Sequence, residues 1–330
     1  MALTGWTRRE SPFHRGELAI QTRLGVKEKI DRQGRRMIRD YLIPQHRQFF
    51  SQLSYALFGS LDTKNQPWTS ILVGKPGFLS SPNEQTLRVA TTLLPGDPLI
   101  NNLTEGMAIG LLGIDLATRR RNRINGTVIK VESVFFDVQV AQSFGNCPQY
   151  IQARSFEWID APGETESKNE EVCRGECAIA SLTDIEQRII RAADTFFITT
   201  AYQKEQPSLS SGIDVSHRGG NPGFVHIADC NTLVIPDYSG NFHFNTLGNI
   251  ELNPKVGLLF IDFNQGHLLH LTGTAKIMWD GPEVNKHEGA ERLIHFQLKQ
   301  GITVKNSLPL RWSVPEFSPF LENLSAKSGR

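Results

Sequence analysis

The feature that most constrains this chain is that it repeats itself. Pro76-Gly77-Phe78 returns as Pro222-Gly223-Phe224, the run Gly110 to Asp115 returns as Gly257 to Asp262, and Asn125-Gly126-Thr127 returns as Thr272-Gly273-Thr274. The offset is 146 residues at the first anchor and 147 at the other two. That is the size of a domain, not of a solenoid unit. One shared tripeptide is a common accident, but three in order and in register point to tandem copies of one fold.

Each copy reads as mostly β. In the second, Asp194 to Thr200, Asn231 to Pro236 and Phe242 to Phe244 are short strand candidates separated by turn chemistry. Lys255 to Phe263 is almost continuously apolar, as a strand covered on both faces is. His267 to Trp279 reads as a long final strand with Gly273 at a bend or bulge. Thr246 to Leu252 fits one short helix before Asn253-Pro254. The first copy follows the same order, with strands Tyr55 to Asp62, Trp68 to Gly74, Thr86 to Ala90, Met107 to Ile114 and Asn125 to Val134, and with Pro98 to Leu103 in the helix slot. Such strand runs indicate a barrel or sandwich. Outside the copies, Lys27 to Ile43 reads as helix ending before Pro44. Gln45 to Leu53 reads as an entry helix, and Thr183 as the cap of a second one over Asp184 to Ala193. The expected division is an N-terminal helical extension (1–44), a first copy (45–160), a linker (161–182) and a second copy with a C-terminal extension (183–330).

Composition narrows the function classes. Apolar residues make up 39% of the 330 and charged residues 21%, enough for a proper core. The 35 Lys and Arg nearly cancel the 34 Asp and Glu, and a formal charge of +1 argues against a broad nucleic-acid surface. No apolar run reaches the ~18 residues of a membrane helix. The charged start, with Arg8, Arg9, Glu10 and Arg15, does not look like a signal peptide. Four cysteines in a chain of this length do not make a disulfide framework, so the expected home is the cytoplasm.

Three stretches carry a resemblance: Ser216-His217-Arg218-Gly219-Gly220 running on to Pro222-Gly223-Phe224, then Phe244 to Asn249, then Asn253-Pro254 ahead of the buried strand with Leu271-Thr272-Gly273 behind it. In that order, and in duplicate, they resemble the pyridoxamine 5'-phosphate oxidase-like family, whose fold is the FMN-binding split barrel. The likeness is good from about Asp194 to Trp279 and extends to the first copy, Phe49 to Val134, in anchors and order. The resemblance implies a mainly β protein of two six-stranded split barrels that pair as a pseudo-dimer inside one chain, associate between chains as a homodimer, or both. It implies FMN in a cleft touched by both barrels. It implies a flavin oxidoreductase acting with a small-molecule substrate or an electron-transfer partner. A non-catalytic carrier, sensor or relay subunit, and a barrel holding heme or a deazaflavin, stand as alternatives.

On that resemblance the candidate cofactor contacts can be named. Ser216, His217 and Arg218 fall on the segment that lines the flavin in the family, where a guanidinium suits a phosphate dianion, and Gly219 and Gly220 would admit backbone amides to the ring. Asn245, Thr246 and Asn249 sit at the start of the short helix, where unpaired N–H groups suit an anion, although the family usually carries a lysine or arginine there. In the run Arg119 to Arg123, alternation puts Arg119, Arg121 and Arg123 on one face of a strand and Arg120 and Asn122 on the other. Arg121 and Arg123 are thus candidates for the ligand, and a solvated face and a nucleic-acid-binding patch are the alternatives. Lys75 is a candidate for a second phosphate, against a plain turn. Leu72 stands where Arg218 stands in the second copy, so one flavin site per chain is expected. Cys173 and Cys177, spaced C-x3-C, lack a second ligand pair and read as ordinary thiols. His267 and His270 point to opposite faces, so no metal site is expected. The tail offers Arg311-Trp312-Ser313, without the Arg-x-His of true pyridoxamine phosphate oxidases, so negligible turnover of pyridoxine phosphate is expected.

Overall fold

A computed structural model describes residues 5–159, 177–203 and 209–322. The helices α1 (Arg15–Arg23), α2 (Lys27–Met37) and α3 (Pro44–Gln52) lead into β1 (Tyr55–Leu61), β2 (Pro67–Val73), β3 (Leu79–Asn83), β4 (Thr86–Val89), α4 (Leu99–Asn102), β5 (Ala108–Asp115), β6 (Arg120–Val131) and β7 (Phe136–Gly145). After β8 (Phe156–Trp158) and β9 (Cys177–Ile179), the pattern recurs. It runs α5 (Asp184–Ala192), β10 (Thr195–Tyr202), β11 (Gly212–Gly219), β12 (His226–Asp229), β13 (Thr232–Asp237), α6 (Asn245–Leu252), β14 (Lys255–Ile261), β15 (Leu268–Met278) and β16 (Arg292–Val304), then ends on β17 (Leu310–Trp312).

The repeat read from three anchors is a repeat of topology. One antiparallel sheet runs β2-β1-β5-β6-β7-β4-β3 and the other β11-β10-β14-β15-β16-β13-β12, the same order strand for strand, with β9 added on β16. Even the irregularities recur. The register shifts at Asn125/Gly126 against β7 and at Thr272/Gly273 against β16. At both bulges a Cβ on the glycine would strike a carbonyl of the neighbouring strand, Gln139 in one copy and Gln297 in the other. Glycine is needed there for close approach.

Alternation along the strands explains the near-continuous apolar runs. In β1, Ala56 and Phe58 enter the first barrel's own core, whereas Tyr55 and Leu57 face the other copy. In β14, Val256, Leu258 and Phe260 fill the second barrel, whereas Leu259 and Ile261 face the first. Each such strand is buried on one side by its own barrel and on the other by its twin, so both residue parities must be apolar. The packing is reciprocal: β11 lies on β5 and β6, and β2 lies on β14 and β15. Gly110 and Gly257 make the contact close, because a Cβ on Gly110 would strike the Ile213 carbonyl and one on Gly257 the Pro67 carbonyl, positions related by the same repeat. Gly257→Ala is therefore expected to cost about 1–3 kcal/mol through overpacking. A lower urea midpoint would report it; an unchanged midpoint would contradict this contact.

Several expectations are corrected. The sheets hold seven and eight strands rather than six. His267 to Trp279 is not the final strand, because β16 follows it and lies between β15 and β13. The strand expected over Asn125 to Val134 instead runs from Arg120 to Val131. Phe242 to Phe244 is a turn, with positive φ at Phe242 (60°) and Phe244 (62°). Helix α2 stops at Met37, because Ile38 turns extended and is buried, and Arg39 bridges to Ser143. Helix α1, which packs on α6, was not foreseen at all. Thr183 does cap α5, through a box with Glu186. Cys173 and most of the expected linker lie outside the described residues, and Cys177–Ile179 joins the second sheet by pairing with β16.

Candidate functional site

A cleft partly open to solvent, with about 120 Å³ of space for water-sized molecules, lies between the copies. The first copy contributes Arg121 and Arg123 from β6 and the loop after β7, including Asn146, Cys147 and Tyr150. The second contributes Ser216 to Gly219 from β11, Pro236 and Asp237 at the end of β13 with the turn that follows as far as Phe242, and Phe244 to Leu247 at the start of α6. Its rim is tied across the copies. The Tyr150 hydroxyl donates to the Ser239 carbonyl at 3.0 Å, and its ring lies 5.3 Å from that of Tyr238.

Alternation along β6 brings Arg121 and Arg123 to the cleft together, whereas Arg120 turns away and stacks its guanidinium 4.5 Å from the centre of the Phe49 ring. Arg119 does not share their strand face. It sits in the preceding turn at φ 56° and bonds the Ile151 carbonyl and Glu316. Its counterpart in the repeat is Gly266, also at positive φ (73°).

The cleft floor is a buried polar network. Arg123 pairs with Asp214 at 3.0 Å and also donates to Ser216 Oγ. Asp214 further accepts from Asn125 at 2.9 Å and Asn249 at 2.7 Å, and Thr246 Oγ1 donates to Ser216 Oγ at 3.1 Å. On the opposite wall Asp237 takes Arg218 at 2.5 Å and Arg292 at 2.9 Å. Arg121 differs from these. Its Nε donates to the Cys147 carbonyl at 2.8 Å, and among the described residues no carboxylate pairs with it. Burial, together with the nearby Arg123 and Arg218, pushes its pKa down to about 10. A cation in that position is stabilised by a bound anion. Burial, with Arg121, Arg218 and Arg154 close by, also drives His217 well below the ordinary imidazole range, so it is neutral, and its Nε2 is buried without a partner.

The start of α6 supplies further donors. Its N-cap residue, Phe244, is left-handed and gives no side-chain cap. The first N–H groups of the helix, at Asn245 and Thr246, have no carbonyl a turn earlier to accept them, and both residues line the cleft.

Of the residues singled out from sequence, the cleft gathers Ser216, His217, Arg218, Gly219, Asn245, Thr246, Arg121 and Arg123. Gly220 stands just outside, where its Cβ position is filled by the Phe224 ring. Asn249 lies one layer behind, 1% exposed, holding Asp214 and Thr200. Lys75 is exposed in the turn after β2 and is not brought to the cleft. Sequence reasoning missed Tyr150, Tyr238 and Asp237, which lie outside the three stretches that carry the resemblance, and Glu17.

The equivalent position on the other side of the pseudo-dimer is apolar. There Leu268 replaces Arg121 and Ile71 replaces His217, and both join Leu94, Val304 and Leu308 in one hydrophobic cluster. Leu72, in place of Arg218, is part of the first barrel's core. His270, in place of Arg123, is buried against the Thr69 carbonyl at 2.8 Å. The tail residue Arg311 bonds the Leu308 and Leu310 carbonyls, away from the cleft. Among the described residues there is no cluster of side chains fit for a metal ion, and no helix is long and apolar enough to cross a membrane.

Residues 182–304 match the family model for pyridoxamine 5'-phosphate oxidase. Among solved structures the chain is similar to Group A Streptococcus HupZ, at 13% identity over 38% of this chain and 96% of that one, with a TM-score of 0.31. It is similar to a putative pyridoxamine 5'-phosphate oxidase from Lactobacillus delbrueckii, at 13% identity over 38% and 97%, with a TM-score of 0.30. It is also similar to an FMN-binding protein from Syntrophomonas wolfei, at 8% identity over 37% and 89%, with a TM-score of 0.27. No curated protein matches the chain.

Proposed function

The chain belongs to the pyridoxamine 5'-phosphate oxidase-like family through its second barrel, and from that premise we propose that it binds one FMN in the cleft between its two barrels and serves as a flavin-dependent oxidoreductase. The observation that carries this reading is Arg121. It is a partly buried guanidinium with no acid partner among the described residues, and it faces a cleft that also holds Arg218 and the uncapped start of α6. Arginine forks and helix N–H groups are the donors a phosphate monoester requires. The donor set therefore fits the group.

In this reading Arg121 and Arg218 bind the phosphate, Ser216 and Thr246 offer hydroxyls to the ribityl chain, and the Tyr150 and Tyr238 side chains shield the cleft mouth from water. His217, kept neutral by burial and three arginines, presents an acceptor rather than a further positive charge. FMN, when bound, supplies hydride or single-electron transfer at its ring, so the protein's work is binding, orientation and exclusion of solvent. The apolar filling of the pseudo-equivalent position supports a single site per chain.

Titration of the full chain with FMN is expected to saturate at one equivalent, with quenched flavin fluorescence and a yellow protein. A colourless protein that takes up no flavin would end the proposal. A Soret band in its place would move the ligand to heme, for which His217 Nε2 offers a donor. Rapid, selective reduction by one nicotinamide separates an oxidoreductase from a carrier, and pyridoxine phosphate is expected to turn over negligibly.

A further inference from the structure

Glu17 belongs to the N-terminal segment, outside both copies, and takes part in a helix cap. It is the third residue of α1 and accepts the His14 backbone N–H at 2.7 Å to close a capping box. Such residues ordinarily sit in water, yet Glu17 is 2% exposed. The reason is a close helix crossing. A Cβ on Gly16 would strike the Gly248 carbonyl, and one on Gly248 would lie 2.6 Å from the Glu17 nitrogen. Two glycines thus press α1 onto α6 and leave the Glu17 carboxyl beneath the cleft, where its second oxygen accepts from Asn245 Nδ2.

We propose that Glu17 is a positioning residue of the flavin site, which fixes Asn245 and with it the first turn of α6, so that the uncapped N–H groups of that turn stay aimed at the ligand's phosphate. The inference rests on the flavin reading above and adds to it that the N-terminal extension completes the site. The groups that face Glu17 are His14 on its own helix, Asn245 from α6, Asp214 from β11 and Arg123 from β6. Burial first, and then the neighbouring Asp214, raise its pKa well above the usual carboxylate range, against the lowering pull of its hydrogen bonds and Arg123. Glu17 therefore keeps its proton to higher pH than a solvated glutamate. As pH rises through its folded pKa it gains a negative charge behind the phosphate donors, and anion affinity falls.

The test is FMN affinity of the full chain, followed by fluorescence quenching from pH 5 to 9, for the wild type, Glu17→Gln and Glu17→Ala. Glutamine keeps a carbonyl acceptor for Asn245 but cannot ionise. The ratio of Gln-variant to wild-type affinity is expected to climb with pH, on the order of tenfold, the scale of one added charge acting through an effective dielectric near 20. The alanine variant, without the acceptor, is expected to bind about tenfold more weakly throughout, in line with one lost hydrogen bond. Wild type and Gln variant with superimposable pH profiles, or an Ala variant that binds FMN as the wild type does, would overturn the assignment. If no variant and not the wild type binds FMN, the flavin reading itself fails and this inference falls with it.

Discussion

Arg123→Met is expected to destabilise the folded chain by about 3–5 kcal/mol, because it removes one partner of a buried ion pair and leaves the other charged. Arg123 and Asp214 are 4% and 5% exposed, and the pair joins β6 of one copy to β11 of the other. After the substitution Asp214 keeps the Asn125 and Asn249 amides, which hold its oxygens but supply no compensating charge. The loss is thus felt as a loosening of the two barrels against each other. Urea unfolding reads it, and the double variant Arg123→Met with Asp214→Asn is expected to regain part of the deficit, since the orphaned charge is gone. A single variant that unfolds within 1 kcal/mol of the wild type, on the scale of an exposed pair, would show that the contact is not the buried one described.

Arg121→Ala has the opposite profile. It is expected to weaken FMN binding about 10- to 100-fold, the worth of one hydrogen bond from a charged group at about 1.5–3 kcal/mol, while leaving the melting temperature unchanged or raised. The reason is local electrostatics. Arg121 stands near two other guanidinium groups and, among the described residues, pairs with no carboxylate, so the unliganded fold gains little from its charge. An Arg121→Ala protein that binds FMN as tightly as the wild type would remove this residue from the site and, with it, the main support for the flavin reading. Equal losses of affinity and stability would instead mark Arg121 as structural.

Much of the architecture was legible because the two copies corroborate each other. The strand Lys255 to Phe263 reads as buried on both sides for a physical reason that the structure supplies: its odd and even positions face two different cores. Alternation along the arginine run correctly groups Arg121 with Arg123 but fails at Arg119, because a left-handed turn comes before the strand and shifts where the period begins. β16 is not marked in the sequence although its middle, Ile294 to Lys299, alternates between buried and more exposed residues; no anchor of the repeat falls in it. The Phe242 to Phe244 run, aromatic and short, mimics a strand while serving as a strained turn into α6. Glu17 was invisible for a different reason. Its burial depends on two glycines that are 232 residues apart in sequence and meet only when α1 crosses α6, and no local pattern encodes that.

The unequal clefts have a consequence for how such a molecule can change over time. A dimer of identical chains must repeat every substitution at both of its symmetry-related hollows, so a leucine that firms one necessarily ruins the other. With both halves on a single polypeptide that constraint is lifted. Here one hollow has been packed with Ile71, Leu268 and Val304 as a brace, and its twin is left free to keep the charged and poorly neutralised groups that recognition demands.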